Sequence, residues 1–289
     1  MYEVGMLQKN RHPNLDFFVA DFSYWAIKDD MASMEHPMFS LSKKKDFVTR
    51  RYVHNGASIV IEPSHEYGMP TIWDKDILIF CCSQLVEGMK HGRDLKREIV
   101  FGAYDFLVST NRSTGRNGYD AIVGALQRLG GVRITTNIET GGEIEDRGFT
   151  LIGEWEASFE EYNDRIRHVM IELPRWLYRA VTSRELLTLH RDYFRLGKGI
   201  DRRLYELCRK HCGHQPKWEI SIDTLHKKSG ARDAIRNFRL AVKNLATLNY
   251  LPEYRLRFHP KEDKLTVYST GPKGSLREIN DRLNESAKK

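Results

Sequence analysis

The chain has 289 residues, is 40% hydrophobic and 11% aromatic, and carries 46 Lys and Arg against 39 Asp and Glu, a formal charge of +7. That size and composition suit two small packed domains plus an extension and exclude a largely disordered chain. No apolar run approaches the roughly 18 residues that a spanning helix needs, and Met1 to Asn10 lacks the basic-then-apolar layout of a signal peptide, so a soluble, cytoplasmic protein without a membrane partner is expected.

The charge is unevenly placed. Residues 1–183 hold 22 basic and 26 acidic side chains, net −4, and residues 184–289 hold 24 and 13, net +11. A basic C-terminal part points to a polyanion, although charge alone also fits a plain solvated surface. The four cysteines, Cys81, Cys82, Cys208 and Cys212, form no disulfide framework and read as reduced thiols.

In chain order, residues 1–63 form an N-terminal extension. Within it, Leu15 to Ala20 is an apolar run, and Tyr52 to Pro63 reads as a β-hairpin turning at Asn55-Gly56. A helix is expected from Thr71 to Lys90, closed by Gly92. A repeated unit follows. Its first copy has a strand at Glu98 to Phe101 and a short helix at Tyr104 to Thr110. A polar turn then leads into a longer helix from Tyr119 to Leu129, followed by strands at Val132 to Ile138 and Gly148 to Gly153 around an acidic tip, Glu139 to Asp146. Ile171 to Pro174 and Trp176 to Val181 close that domain, and Arg184 to Phe194 and Ile200 to His211 read as helices opening the next. The second copy has a strand at Trp218 to Ser221 and a short helix from Ile222 to Ser229, with Ser221 as N-cap and Gly230 as stop. The longer helix spans Arg232 to Leu248, and alternating strands occupy Tyr254 to His259 and Lys264 to Tyr268.

Both longer helices carry one apolar stripe: Tyr119, Ile122, Leu126 and Leu129, then Ile235, Phe238, Val242 and Leu245. Strand, short helix, turn, long helix and hairpin in that order describe a winged helix. The fold class is therefore α+β: two tandem winged-helix domains with an N-terminal extension carrying a β-hairpin. The expected boundaries are 1–63, 64–182 and 183–271, with a basic C-terminal tail at 272–289.

A winged helix offers its second helix to the major groove and its hairpin to the adjacent backbone. At about 100° per residue from Ile235, the core stripe centres near about 320°. Arg232, Arg236, Arg239 and Lys243 then form a basic ridge beside it, with Asn237 and Asn244 on the far exposed side. Leu240 also faces outward, towards a thymine methyl, another subunit or the wing. In the second wing, Arg257 shares a face with Arg255 and His259, and Lys261 and Lys264 bracket the tip. The first copy offers fewer cations: Arg116, Asn117 and Arg128 are its DNA-contact candidates, and its acidic tip suits phosphate poorly.

Positive signals for chemistry are lacking. The sequence has no phosphate-binding loop of the G-x-x-x-x-G-K-[ST] type and no His-apolar-His pair of the kind a nickase uses to hold metal. Cys208, His211, Cys212 and His214 offer Zn²⁺ donors but no matching second cluster, so no metal, cofactor or enzymatic activity is expected.

With these elements in place, the chain resembles the plasmid replication initiator protein A family. The resemblance is carried by His36-Pro37 with Met38 to Lys45, by Gly68 to Asp74 running into Asp76 to Ile79, and by the Tyr119 to Leu129 helix, and it spans roughly residues 15–270. It implies binding to repeated double-stranded DNA sites at an origin and help in opening the duplex. It also implies the host replicative helicase and host initiator ATPase as partners. A homodimer is one option for the oligomeric state. The rival readings are a winged-helix repressor, a DNA-nicking enzyme, and an interaction module whose basic face binds acidic proteins. The role of the two N-terminal family motifs stays open, packing on the first domain being the favoured one.

Overall fold

The computed structural model describes residues 7–13, 27–30, 34, 37–54, 57–136, 147–160 and 165–286. The run at Leu15 to Ala20, His36, the Asn55-Gly56 turn and the acidic tip from Glu139 to Asp146 lie outside the described residues. Two compact units emerge: Met38–Leu189 with Lys9–Ser33, and His190–Lys289 with Met1–Gln8 and Met34–Pro37.

In the first unit, β1 (Ile27–Asp30) pairs antiparallel with β9 (Leu186–Leu189). The second half of the expected helix from Arg184 to Phe194 is instead a 3-10 turn at Arg191–Arg195, and its first half is β9. Arg184 adopts a positive φ of 59°, which breaks the helix, and the apolar run after it finds a strand partner in β1. Helix α1 spans Lys75–Lys90. Its entry is a reciprocal cap of the T-x-x-D type. The Thr71 N–H donates to Asp74 Oδ2 (2.7 Å) and the Asp74 N–H to Thr71 Oγ1 (3.3 Å).

The two N-terminal family motifs meet at this entry. Ser40 bridges Thr71, its N–H donating to Pro70 O (2.8 Å), and the Ile72 N–H donates back to Ser40 O (2.9 Å). Met38, Phe39, Met69 and Ile72 are buried in the same core, and Lys43 lies 4.8 Å over the Trp73 ring. The segment from Met38 to Asp74 is thereby bonded to itself and to the domain core.

After α1 come β4 (Glu98–Gly102), α2 (Ala103–Ser109) and α3 (Arg116–Gly131). The α2–α3 turn is tight. Asn111 takes a positive φ of 56°, and a Cβ on Gly118 would sit 1.9 Å from Ser113 O, so only glycine fits there. Tyr119, Ile122, Leu126 and Leu129 are all buried, as the stripe requires, against a cluster that includes the edge-packed rings of Phe80, Phe101 and Phe106.

The hairpin expected to be the first wing plays another part. β5 (Arg133–Thr136) and β6 (Arg147–Phe149) pair with each other, but β5 also joins the N-terminal hairpin of β2 (Arg50–His54) and β3 (Ala57–Glu62), giving the order β2-β3-β5-β6. The hairpin that returns to β4 is β7 (Trp155–Phe159) with β8 (Ile166–Glu172), in the order β4-β8-β7. Pairing decides the assignment: β8 covers all five residues of β4, and β5 covers none. Helix α4 (Arg175–Thr182) follows Pro174, which supplies an extended N-cap.

The second unit repeats this topology. Helix α5 (Gly199–His211) leads to β10 (Lys217–Ser221), α6 (Ile222–Ser229), α7 (Ile235–Leu248), β11 (Tyr254–His259) and β12 (Lys264–Ser269), with sheet order β10-β12-β11. Ser221 Oγ caps α6 by accepting the Thr224 N–H (3.2 Å), and Gly230 ends it at a positive φ of 70°. Helix α7 begins at Ile235 rather than Arg232, because Ala234 is extended and the His226 ring engages Asp233 O (2.9 Å). Arg232 therefore belongs to the turn and not to the helical ridge. The stretch read as a tail holds a 15-residue helix, α8 (Pro272–Ser286). It lies on the sheet by its polar face, with Asp281 accepting from Lys217 (3.1 Å) and Tyr268 (3.0 Å), and leaves Leu276, Ile279 and Leu283 exposed.

Candidate nucleic-acid interface

In the second unit Phe238, Val242 and Leu245 seat α7 in the core. That burial turns Arg236, Asn237, Leu240, Lys243 and Asn244 to solvent, and all five are exposed. Arg239 sits between the ridge and the wing. Its Nε and Nη2 donate to Asp263 Oδ1 (2.7 Å) and Oδ2 (2.8 Å), and Asp263 O in turn accepts the N–H of Ile222 at the start of α6. The hydrogen bonds from Arg239 hold the Asp263 carboxyl below the usual range, and those to Asp263 raise the Arg239 value. This fork therefore fastens the wing tip to the helix.

The wing cations divide similarly. Lys264 pairs with Glu262 (2.6 Å) and lies 3.7 Å from Glu219, and Arg257 is half-buried on the sheet. Lys261, at the tip, is exposed, and so is Arg232 in the turn before α7.

In the first unit, Arg116 and Asn117 at the start of α3 are exposed, Arg116 being 92% open with Asp120 at 3.9 Å. Arg128 differs. Its Nε and Nη2 donate to Asp74 Oδ2 (2.7 Å) and Oδ1 (2.8 Å), with the carboxylate 4% exposed and the guanidinium 24%. The bonds to Asp74 raise the Arg128 value further. Arg112 makes the matching contact from the α2–α3 turn, bonding Trp73 O and Asp76 Oδ2 (2.9 Å). Two arginines of the helix-turn-helix are thus gripped by the Trp73 to Asp76 end of the second family motif.

The β7–β8 wing brings forward residues that the sequence reading did not select. Arg165, Arg167 and His168 are exposed at and after its tip. The available signal was the alternation of Ile166, Val169 and Ile171 with polar residues, obscured by the bulge between Ser158 and Phe159.

Among the described residues no three His, Cys, Asp or Glu side chains converge as a metal site. Cys208 and Cys212 are buried, and burial raises both thiols, Cys212 to about 11. No helix of the described residues is long and apolar enough to cross a membrane.

A strand, two helices and a returning hairpin, twice over, define a tandem winged-helix-like architecture. Among solved structures, the chain is similar to domains 2–3 of RctB (residues 155–483), with a TM-score of 0.58 at 13% identity over 83% of this chain and 98% of that one. A selenomethionine form of RctB domains 2 and 3 gives the same TM-score at 12% identity. The family model for replication initiator protein A matches residues 28–256. A relative from Wigglesworthia glossinidia brevipalpis, named "Putative replication protein", is 36% identical over 264 residues, 90% of this chain and 95% of the relative. The chain belongs to the replication initiator protein A family.

Proposed function

We propose that this protein is a plasmid-type replication initiator. It binds repeated duplex sites at an origin through its two winged-helix units and assists duplex opening without itself being an enzyme. The observation that carries the proposal is the exposed face of α7. Arg236 and Lys243 stand there beside Asn237 and Asn244, the side chains of all four making no ion pair or hydrogen bond among the described residues, on the unit that holds most of the excess positive charge. Cations of this kind neutralise phosphates, and amides address base edges. Lys261 on the wing and Arg232 before the helix extend the phosphate surface. In the first unit Arg116 and Asn117 take the corresponding place, with Arg165 and Arg167 on the β7–β8 wing. Recruitment of the host helicase and cooperation with the host initiator ATPase rest on the family resemblance.

The test is binding of the purified chain to duplexes tiled across its own gene's flanks, at physiological salt with excess competitor. It is paired with replication of a plasmid bearing only the gene and its upstream DNA. Tight binding to one repeated segment, lost on Arg236→Ala, together with autonomous replication, is the expected result. Equal weak binding to all duplexes refutes the proposal.

A further inference from the structure

On the reading that α7 enters the major groove, its exposed side has two different stripes. At about 100° per residue, Arg236, Arg239 and Lys243 line the flank next to the wing and Asn237 and Asn244 the flank away from it, with Leu240 between them and most nearly opposite the buried Phe238, Val242 and Leu245. Leu240 is 57% exposed, so it packs on neither wing nor core. Asn is a poor helix former, and the two amides make no hydrogen bond among the described residues. They do nothing for the fold, and their donors and acceptors stay available to a ligand.

We propose that Asn237, Leu240 and Asn244 form an A·T-reading stripe, with the neighbouring cations serving the phosphates. A carboxamide carries one donor and one acceptor side by side, which matches the adenine N6–H and N7. Guanine presents two acceptors there and leaves the amide half satisfied. The Leu240 methyls suit the thymine C5-methyl, which cytosine lacks. On the ridge the Nε and Nη2 edge of Arg239 is held by Asp263, which leaves Arg236 as its open guanidinium fork. From Asn237 to Asn244 the helix advances roughly 10 Å, about three base steps at 3.4 Å each.

The experiment uses the full chain and a library of randomised duplexes. Sequences retained at physiological salt are read, and the retained pool is recopied with either dTTP or dUTP, which differ only by the C5-methyl. The wild type is expected to enrich a core of about three consecutive A·T pairs. It should bind the dU copy about fourfold more weakly for each methyl contacted, as burying one methyl-sized group implies. Leu240→Ala, an exposed change to a better helix former, should fold normally and shrink the dT-to-dU ratio, and Asn244→Ala should relax the adenine preference at one position. An enriched G·C core, or a dT-to-dU ratio unchanged in Leu240→Ala, overturns the stripe while leaving site-specific binding intact. Failure to enrich any sequence overturns both this stripe and the origin-binding proposal beneath it.

Discussion

Replacing Arg128 with Met separates two roles that a sequence alone leaves superposed. Asp74 takes three hydrogen bonds: the Thr71 N–H on Oδ2 and the two from Arg128. Without the guanidinium, Oδ1 loses its partner and a carboxylate only 4% exposed keeps a single backbone donor. Breaking a buried pair from one side costs about 3–5 kcal/mol. The lower end, about 3 kcal/mol, applies because the Arg128 end is still partly wetted. For a domain of this size that is a loss of roughly 6–12 °C in Tm. Calorimetry of the full chain, or urea unfolding followed through Trp73 and Trp176, would measure it. The double variant Asp74→Asn with Arg128→Met should lose less than the sum of the two single changes, because the charge that was stranded is gone. If Arg128→Met leaves unfolding within about 0.5 kcal/mol of wild type while DNA affinity falls, the clamp argument is wrong and Arg128 is a DNA ligand.

Three further outcomes follow from the local geometry. Ser221→Ala removes the oxygen that caps α6 and should lower the stability of the second unit by about 1 kcal/mol, read as a small shift in urea midpoint. Gly118→Ala places a methyl against Ser113 O in the α2–α3 turn, and the forced backbone shift should cost the first unit about 2–4 kcal/mol, visible in its calorimetric transition. Asp263 and Glu262 are held below their usual values, by Arg239 and Lys264 respectively. Their charged forms are favoured by folding, so this contribution is present above the unfolded value of about 4 and fades as pH falls through the depressed folded values. The Arg239–Asp263 fastening should hold from pH 5 to 8, checked by persistence of the Arg239 Nε–H resonance, and its loss near pH 6 would contradict the assignment.

Local chemistry made much of the second unit readable in advance. Ser221 as cap, Gly230 as stop, the Phe238, Val242 and Leu245 stripe, and the bounds of β11 all depend on neighbours within a few residues. The same holds for the buried face of α3. The place where the chain enters α7 was less legible, since nothing local tells that Ala234 is extended and that Arg232 lies before the helix.

What the sequence determined alone is the set of amphipathic elements, the repeated order and the basic bias of the second half, because periodicity, caps and charge are properties of short segments. Only the tertiary structure decided which hairpin is the first unit's wing. β5 and β7 are both short polar-and-apolar strands, and the choice between them was made by β8 taking the edge of β4. It also decided which cations stay available. Arg128 and Arg239 look like surface charge on a helical wheel, yet each meets a carboxylate far away in sequence, Asp74 and Asp263, and a wheel has no means of showing a partner brought in by another part of the chain.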